Sequence, residues 1–205
     1  MYNYLKQRVK HAIRFRHKRG FGVHSPFVFD LITNVIKERN LYYDFERIET
    51  RAKLRSSEKK LCRLLFRLSD YLSYRNVLLL GLENPFVISY LEAVSRDMRL
   101  FYKGKEFKGE RYEKAEPAFI GEVPLDMMFL GRELDGVWSS ACESLLKERK
   151  EGPLCVIITD IYKKPLNAQL WRQWRKECTV SIDMMWYGML FFDKRLQRGR
   201  YNMII

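Results

Sequence analysis

A chain of 205 residues, 47% hydrophobic and 14% aromatic, is long enough for a domain with a sizeable core and too apolar for a disordered chain. Its four cysteines (Cys62, Cys142, Cys155, Cys178) are scattered and form no CxxC pair, which argues against a zinc site or a disulfide framework and suits a reducing cytoplasm. The net charge of +13 is unevenly spread: residues 1–20 carry Lys6, Arg8, Lys10, Arg14, Arg16, Lys18 and Arg19 with no acid, which is seven of the thirteen net charges. Such an arm suits nucleic acid, an anionic membrane surface or an acidic protein patch.

In chain order, residues 2–17 read as a basic amphipathic helix, with Leu5, Val9, Ala12 and Ile13 on one face. Gly20 and Gly22 break it, and no apolar signal segment follows the basic start. Ser25 is placed to cap a second helix with Pro26 at its first position, and Phe27, Leu31 and Val35 follow on one face. That element is expected to end at Asn40–Tyr43, and a third helix to run from Ser56 or Ser57 to Leu72. The texture then changes to short apolar runs that suit buried strands: Asn76–Gly81, Leu100–Tyr102, Asp126–Leu130 and Leu154–Thr159. Helices are predicted between them at Phe86–Val94, Trp138–Lys147 and Leu166–Arg175. A strand pair, Thr179–Asp183 with Met189–Phe192, is expected to turn around Trp186-Tyr-Gly188, and Tyr201–Ile205 to add a last strand. Alternating strands and helices imply α/β architecture: a mostly parallel sheet covered on both faces, with an antiparallel C-terminal strand at its edge. The boundaries expected are a helical extension over 1–54, packed on a core domain over 55–205. No run is long enough to span a bilayer.

Three passages carry a resemblance to a known family. They are Arg14-Phe-Arg-His-Lys-Arg-Gly-Phe-Gly-Val-His-Ser-Pro-Phe-Val-Phe29, then Leu64–Leu68 with Val77-Leu-Leu-Leu-Gly81, and the C-terminal stretch Val156–Ile205 with Asp160-Ile-Tyr162, Val180–Asp183 and Gly188–Phe192. Together they resemble bacterial class I S-adenosylmethionine-dependent methyltransferase-like proteins related to small-molecule O-methyltransferases. The resemblance implies a three-layer Rossmann-like fold with S-adenosylmethionine as cofactor. It implies cofactor contacts at Gly81, Glu83 and Asp160, with Asp160 also the candidate for a catalytic base.

The chain departs from that pattern where the cofactor would be held. An acid and a glycine-rich turn follow the first strand in the family; here Leu79 replaces the acid and Pro85, with fixed φ and no N–H, replaces the second glycine. After the second strand, where an acid would receive the ribose hydroxyls, stand Lys103 and Lys105, with Glu106 displaced. After the fourth strand, Leu130-Gly-Arg-Glu-Leu134 keeps neither the family's acid nor its histidine. A glycine-rich acidic segment is missing as well, since Ile48-Glu49 runs almost directly into Ser56. The bland readings stand beside these. Asp160 suits a helix cap before Pro165, His24 suits a turn fixed beside Ser25-Pro26, and His11 and His17 are solvated parts of the arm; no metal cluster is expected. Trp171, Trp174, Trp186 and Tyr187 suit core or interface, with a basic helix face around Arg172, Arg175 and Lys176 as a partner surface. Lys103–Lys114 reads as a solvated loop. Three functions follow: a binding protein (a pseudoenzyme) with a degenerate site, an active small-molecule methyltransferase, or a basic module for nucleic acid or anionic membrane. A small molecule, a protein or a second copy of the chain stays open as partner.

Overall fold

A computed structural model describes residues 9, 23–40, 42–51, 54–107, 111–117, 121–149 and 152–203. The expected basic helix over 2–17 lies outside them except for Val9, which is helical and exposed. Helix α1 (Pro26–Leu31) starts as predicted, with the Ser25 hydroxyl accepting from the Val28 N–H and Pro26 in the first turn. It continues as a wider π-type turn over Ile32–Ile36. A helix that the pattern did not indicate follows, α2 (Tyr43–Arg51), and then α3 (Ser56–Tyr71).

The strands are β1 (Asn76–Leu80), β2 (Arg99–Lys103), β3 (Glu113–Lys114), β4 (Met127–Leu130), β5 (Leu154–Thr159), β6 (Val180–Asp183), β7 (Tyr187–Phe192) and β8 (Gly199–Asn202). Between them run α4 (Phe86–Glu92), α5 (Gly136–Glu148) and α6 (Pro165–Glu177). Among the described residues they form one eight-stranded sheet in the order β3-β2-β1-β4-β5-β7-β6-β8. All neighbours pair in parallel except β7, which is antiparallel to both β5 and β6. The antiparallel strand is therefore inside the sheet, not at its edge as expected. Tyr187 and Gly188, expected in the turn, already belong to it.

Alternation along each strand sorts the core into two layers. Val77, Leu79, Met127, Phe129 and Ile157 face one cluster with Leu31, Phe45, Leu65, Leu68 and Ile88, so the first four helices cover that face. Leu78, Leu80, Met128, Val156 and Ile158 face the other with Trp138, Cys142, Leu170, Trp171 and Trp174 from α5 and α6. Each fully buried Leu or Ile adds about 1.5–3 kcal/mol, which is why runs apolar at every position settle in the middle strands. Trp171 and Trp174 are core residues, which agrees with the core reading of them, whereas Trp186 is exposed. Gly188 is required opposite Trp171, since a Cβ there would stand 2.3 Å from the ring. The stretch read as a solvated loop is tied down after residue 110, by β3 and by the Arg99–Glu113 and Arg111–Glu92 ion pairs.

Candidate functional site

The sheet runs outward from β1 in two directions, to β2 and β3 on one side and to β4 and β5 on the other. Chain direction reverses its progress across the sheet at the β1–β4 boundary. Open α/β sheets bind ligands outside the carboxyl ends of the strands at such a point. Four connections meet at this end: residues 81–85 after β1, 131–135 after β4, 160–164 after β5, and the β6–β7 turn at Met184–Trp186.

The first two connections are in backbone contact. Gly81 has φ +63, and a Cβ built on it would stand 2.4 Å from the Leu134 nitrogen. A Cβ on Gly131 would stand 2.1 Å from the Gly81 carbonyl oxygen. Gly131 N–H donates to the Leu80 carbonyl at 2.8 Å, and Glu133 N–H to the Gly81 carbonyl at 3.0 Å. Glycine at both positions is what lets the loops close to this distance. Leu134 then packs against the core beneath.

Two of the residues predicted for the site, Glu83 and Asp160, are brought together by a third that sequence reading treated only as a lost acid. Arg132 Nη1 lies 3.3 Å from Glu83 Oε1 and its Nε 3.8 Å from Asp160 Oδ2. Asp160 itself sits in the left-handed region at φ +51. Its N–H donates to the Trp186 carbonyl at 2.7 Å, and its carbonyl accepts from Lys163 and Lys164. It does not cap α6 as expected: the cap position is Lys164, with no side-chain bond. The buried Asn167 holds the floor, its Nδ2 donating to the Gly131 carbonyl at 3.0 Å and the Thr159 carbonyl at 2.8 Å. The sequence reading missed it; the signal that would have found it is a lone amide on the apolar stripe of Leu170, Trp171 and Trp174.

Beside β1, the end of β2 is packed with aromatic rings. Tyr102 is buried, lies 5.2 Å edge-on from Tyr112, and fills the space where a Gly104 Cβ would go. Tyr112 accepts from the Phe107 N–H at 2.9 Å, and Phe107 packs edge-on against Phe86 at 5.2 Å. Lys103 and Glu106 are exposed. On the far side, the buried Asp183 carboxylate accepts from Tyr162 Oη and from the Met185 N–H. Trp186 projects outward with the Lys163 ammonium 4.6 Å from its ring centre.

The thiols are buried in the core. Burial pushes the thiols of Cys62, Cys142 and Cys155 up to about 12, so they stay protonated and inert. His24 is exposed on the segment leading to α1. Among the described residues no group of three His, Cys, Asp or Glu side chains could hold a metal, and no helix is long and apolar enough to cross a membrane. Comparison with protein-family models gives no match, and comparison with curated proteins gives none.

Proposed function

We propose that this chain is a methyltransferase-like protein whose cofactor crevice is taken up by its own backbone, and that it acts by binding rather than by methyl transfer. The fold part of the reading is supported by the strand order β3-β2-β1-β4-β5, the doubly wound order whose reversal point receives nucleotide ligands. The antiparallel β7 agrees with the antiparallel member expected from the C-terminal strand pair, although it lies inside the sheet rather than at its edge.

The observation that carries the functional part is the contact between Gly81 and Leu134. A glycine after the first strand serves a cofactor by letting it approach the backbone closely. Here the space beside that α-carbon is occupied by the Leu134 nitrogen, at 2.4 Å from where a Cβ would stand. The cofactor's other requirement, an acceptor for the ribose hydroxyls, is not met either. Lys103 ends β2 with donors only, and the neighbouring volume holds Tyr102 and Tyr112. Glu83 and Asp160 each already face the Arg132 guanidinium. The residues present do not fit S-adenosylmethionine, and no transfer step is assigned to them.

Thermal unfolding of the full chain with and without S-adenosylmethionine tests this. The melting temperature is expected to stay unchanged. A ligand at a hundred times its Kd adds about 2.7 kcal/mol of stability, so saturable stabilisation of that order would overturn the reading in favour of an active small-molecule methyltransferase.

A further inference from the structure

On the face of the sheet covered by the first four helices, α2, α4 and the Ala93–Arg96 loop line a cleft of about 540 Å³. That volume lies within the range of small-molecule sites. Its lining is dominated by four guanidinium groups that come from three separate stretches of chain: Arg47 and Arg51 on α2, Arg96 on the loop, and Arg111 before β3.

Two of the four are matched by carboxylates. Arg47 pairs with Asp44 at 2.7 Å, and Arg111 with Glu92 at 2.5 Å. Arg111 also donates from Nη1 to the Arg96 carbonyl at 3.0 Å, which holds its guanidinium across the mouth and binds it to the loop. Arg51 and Arg96 form no ion pair among the described residues. Guanidinium does not deprotonate in a protein, so the cleft keeps an excess of two positive charges at any ordinary pH. Two unmatched guanidinium groups at one recess repel each other and favour an anion between them. A phosphoryl group is the anion whose oxygens match the planar fork of each guanidinium. The rest of the lining is mixed: Ser89 and Ser95 stand with the two carboxylates, and the buried Ile48 with the partly buried Phe86 and Val94 forms an apolar patch.

From this arrangement we infer that the cleft binds a small phosphorylated organic molecule, the phosphoryl group taken by Arg51 and Arg96 and the organic body laid against Ile48, Phe86 and Val94. A bare anion would leave the apolar patch unused. A nucleic acid would need a groove that continues past the recess. The inference does not depend on the reading of the switch point, because Arg51 and Arg96 take no part in that site and Phe86 is shared only as a packing residue.

Calorimetric titration of the full chain at constant ionic strength, with inorganic phosphate and with phenyl phosphate as probes, tests it. Saturable binding of both is expected, with phenyl phosphate at least about tenfold tighter because its ring leaves water. Arg51→Ala with Arg96→Ala is expected to weaken phenyl phosphate by about tenfold or more, and Arg51→Gln alone by a smaller factor. Both side chains are exposed and form no ion pair among the described residues, and unfolding curves would confirm that the variants fold. Arg195→Ala, on the β7–β8 connection outside the cleft, should bind as the unaltered chain does. The inference is overturned by absence of saturable binding, by equal affinity of the two probes, or by variants that bind normally. A single-stranded RNA that binds more tightly than phenyl phosphate and depends on Arg51 and Arg96 would assign the cleft to nucleic acid and overturn it too.

Discussion

Replacing Gly81 by alanine puts a methyl group 2.4 Å from the Leu134 nitrogen, at a residue whose φ is +63. The left-handed conformation alone costs an L residue about 1–2 kcal/mol. The clash is with backbone, so no side-chain rotamer relieves it, and the loops must part with the loss of their hydrogen bonds. Gly81→Ala is expected to lower the unfolding free energy by about 2–4 kcal/mol in urea denaturation, whereas Glu83→Ala should cost less than about 1 kcal/mol because its pair with Arg132 is exposed. A well-tolerated alanine would mean that the space beside Gly81 is open to a ligand after all. The glycine itself was legible in the sequence, since an apolar strand ends on it. What it touches was not: Leu134 lies far along the chain, and only the parallel pairing of β1 with β4 brings the two turns together. Arg132 was read as an acid lost, although its meaning is a cation gained between Glu83 and Asp160. Charge pairing across strands leaves no local pattern to find.

Between elements, the half-buried Glu49 on α2 joins three helices. Its carboxylate receives Lys59 at 2.9 Å and Arg63 at 2.7 Å from α3, and the Tyr90 hydroxyl of α4 at 2.8 Å. Burial pushes the carboxyl up, but the hydrogen bonds from Lys59, Tyr90 and Arg63 outweigh it and hold the group below its ordinary value of 4.5. A carboxyl depressed in the folded state contributes stability that is present above its unfolded value and is lost as pH falls through the folded one. Glu49→Gln is thus expected to cost about 1–3 kcal/mol at neutral pH, and the difference from the unaltered chain to shrink as pH falls below the ordinary carboxylate value. A difference that persists in acid would mean that packing, not the carboxylate, joins the helices. This helix was also the element least legible in the sequence. Only Phe45 and Ile48 of its nine residues are buried, too few to show a period. β1, β4 and β5 were clear for the opposite reason, being apolar at nearly every position because both faces are covered. The same signal bears on β7, whose unbroken run Gly188-Met-Leu-Phe-Phe192 belongs in the sheet interior, while the half-exposed Gly199–Asn202 makes the edge.

For the molecule as a whole, the excess of thirteen positive charges and the local ion pairs pull the salt dependence of stability in opposite directions. Raising salt from about 0.01 M to about 0.15 M shortens the Debye length from about 30 Å to about 8 Å. Contact pairs such as Arg63–Glu49 at 2.7 Å lie well inside both lengths and are little screened. Repulsion among the excess cations acts over the width of the molecule, so it lies between the two lengths and is largely removed. Screened repulsion therefore wins, and the melting temperature is expected to rise over this range, by about 2–4 °C for each kcal/mol of repulsion relieved. Neutralising the seven cations of residues 1–20 removes seven of the thirteen net charges, and should raise the melting temperature at low salt while shrinking its response to added salt. A melting temperature that falls as salt is added would show that the ion pairs between elements, rather than the excess charge, set the electrostatic balance of the fold.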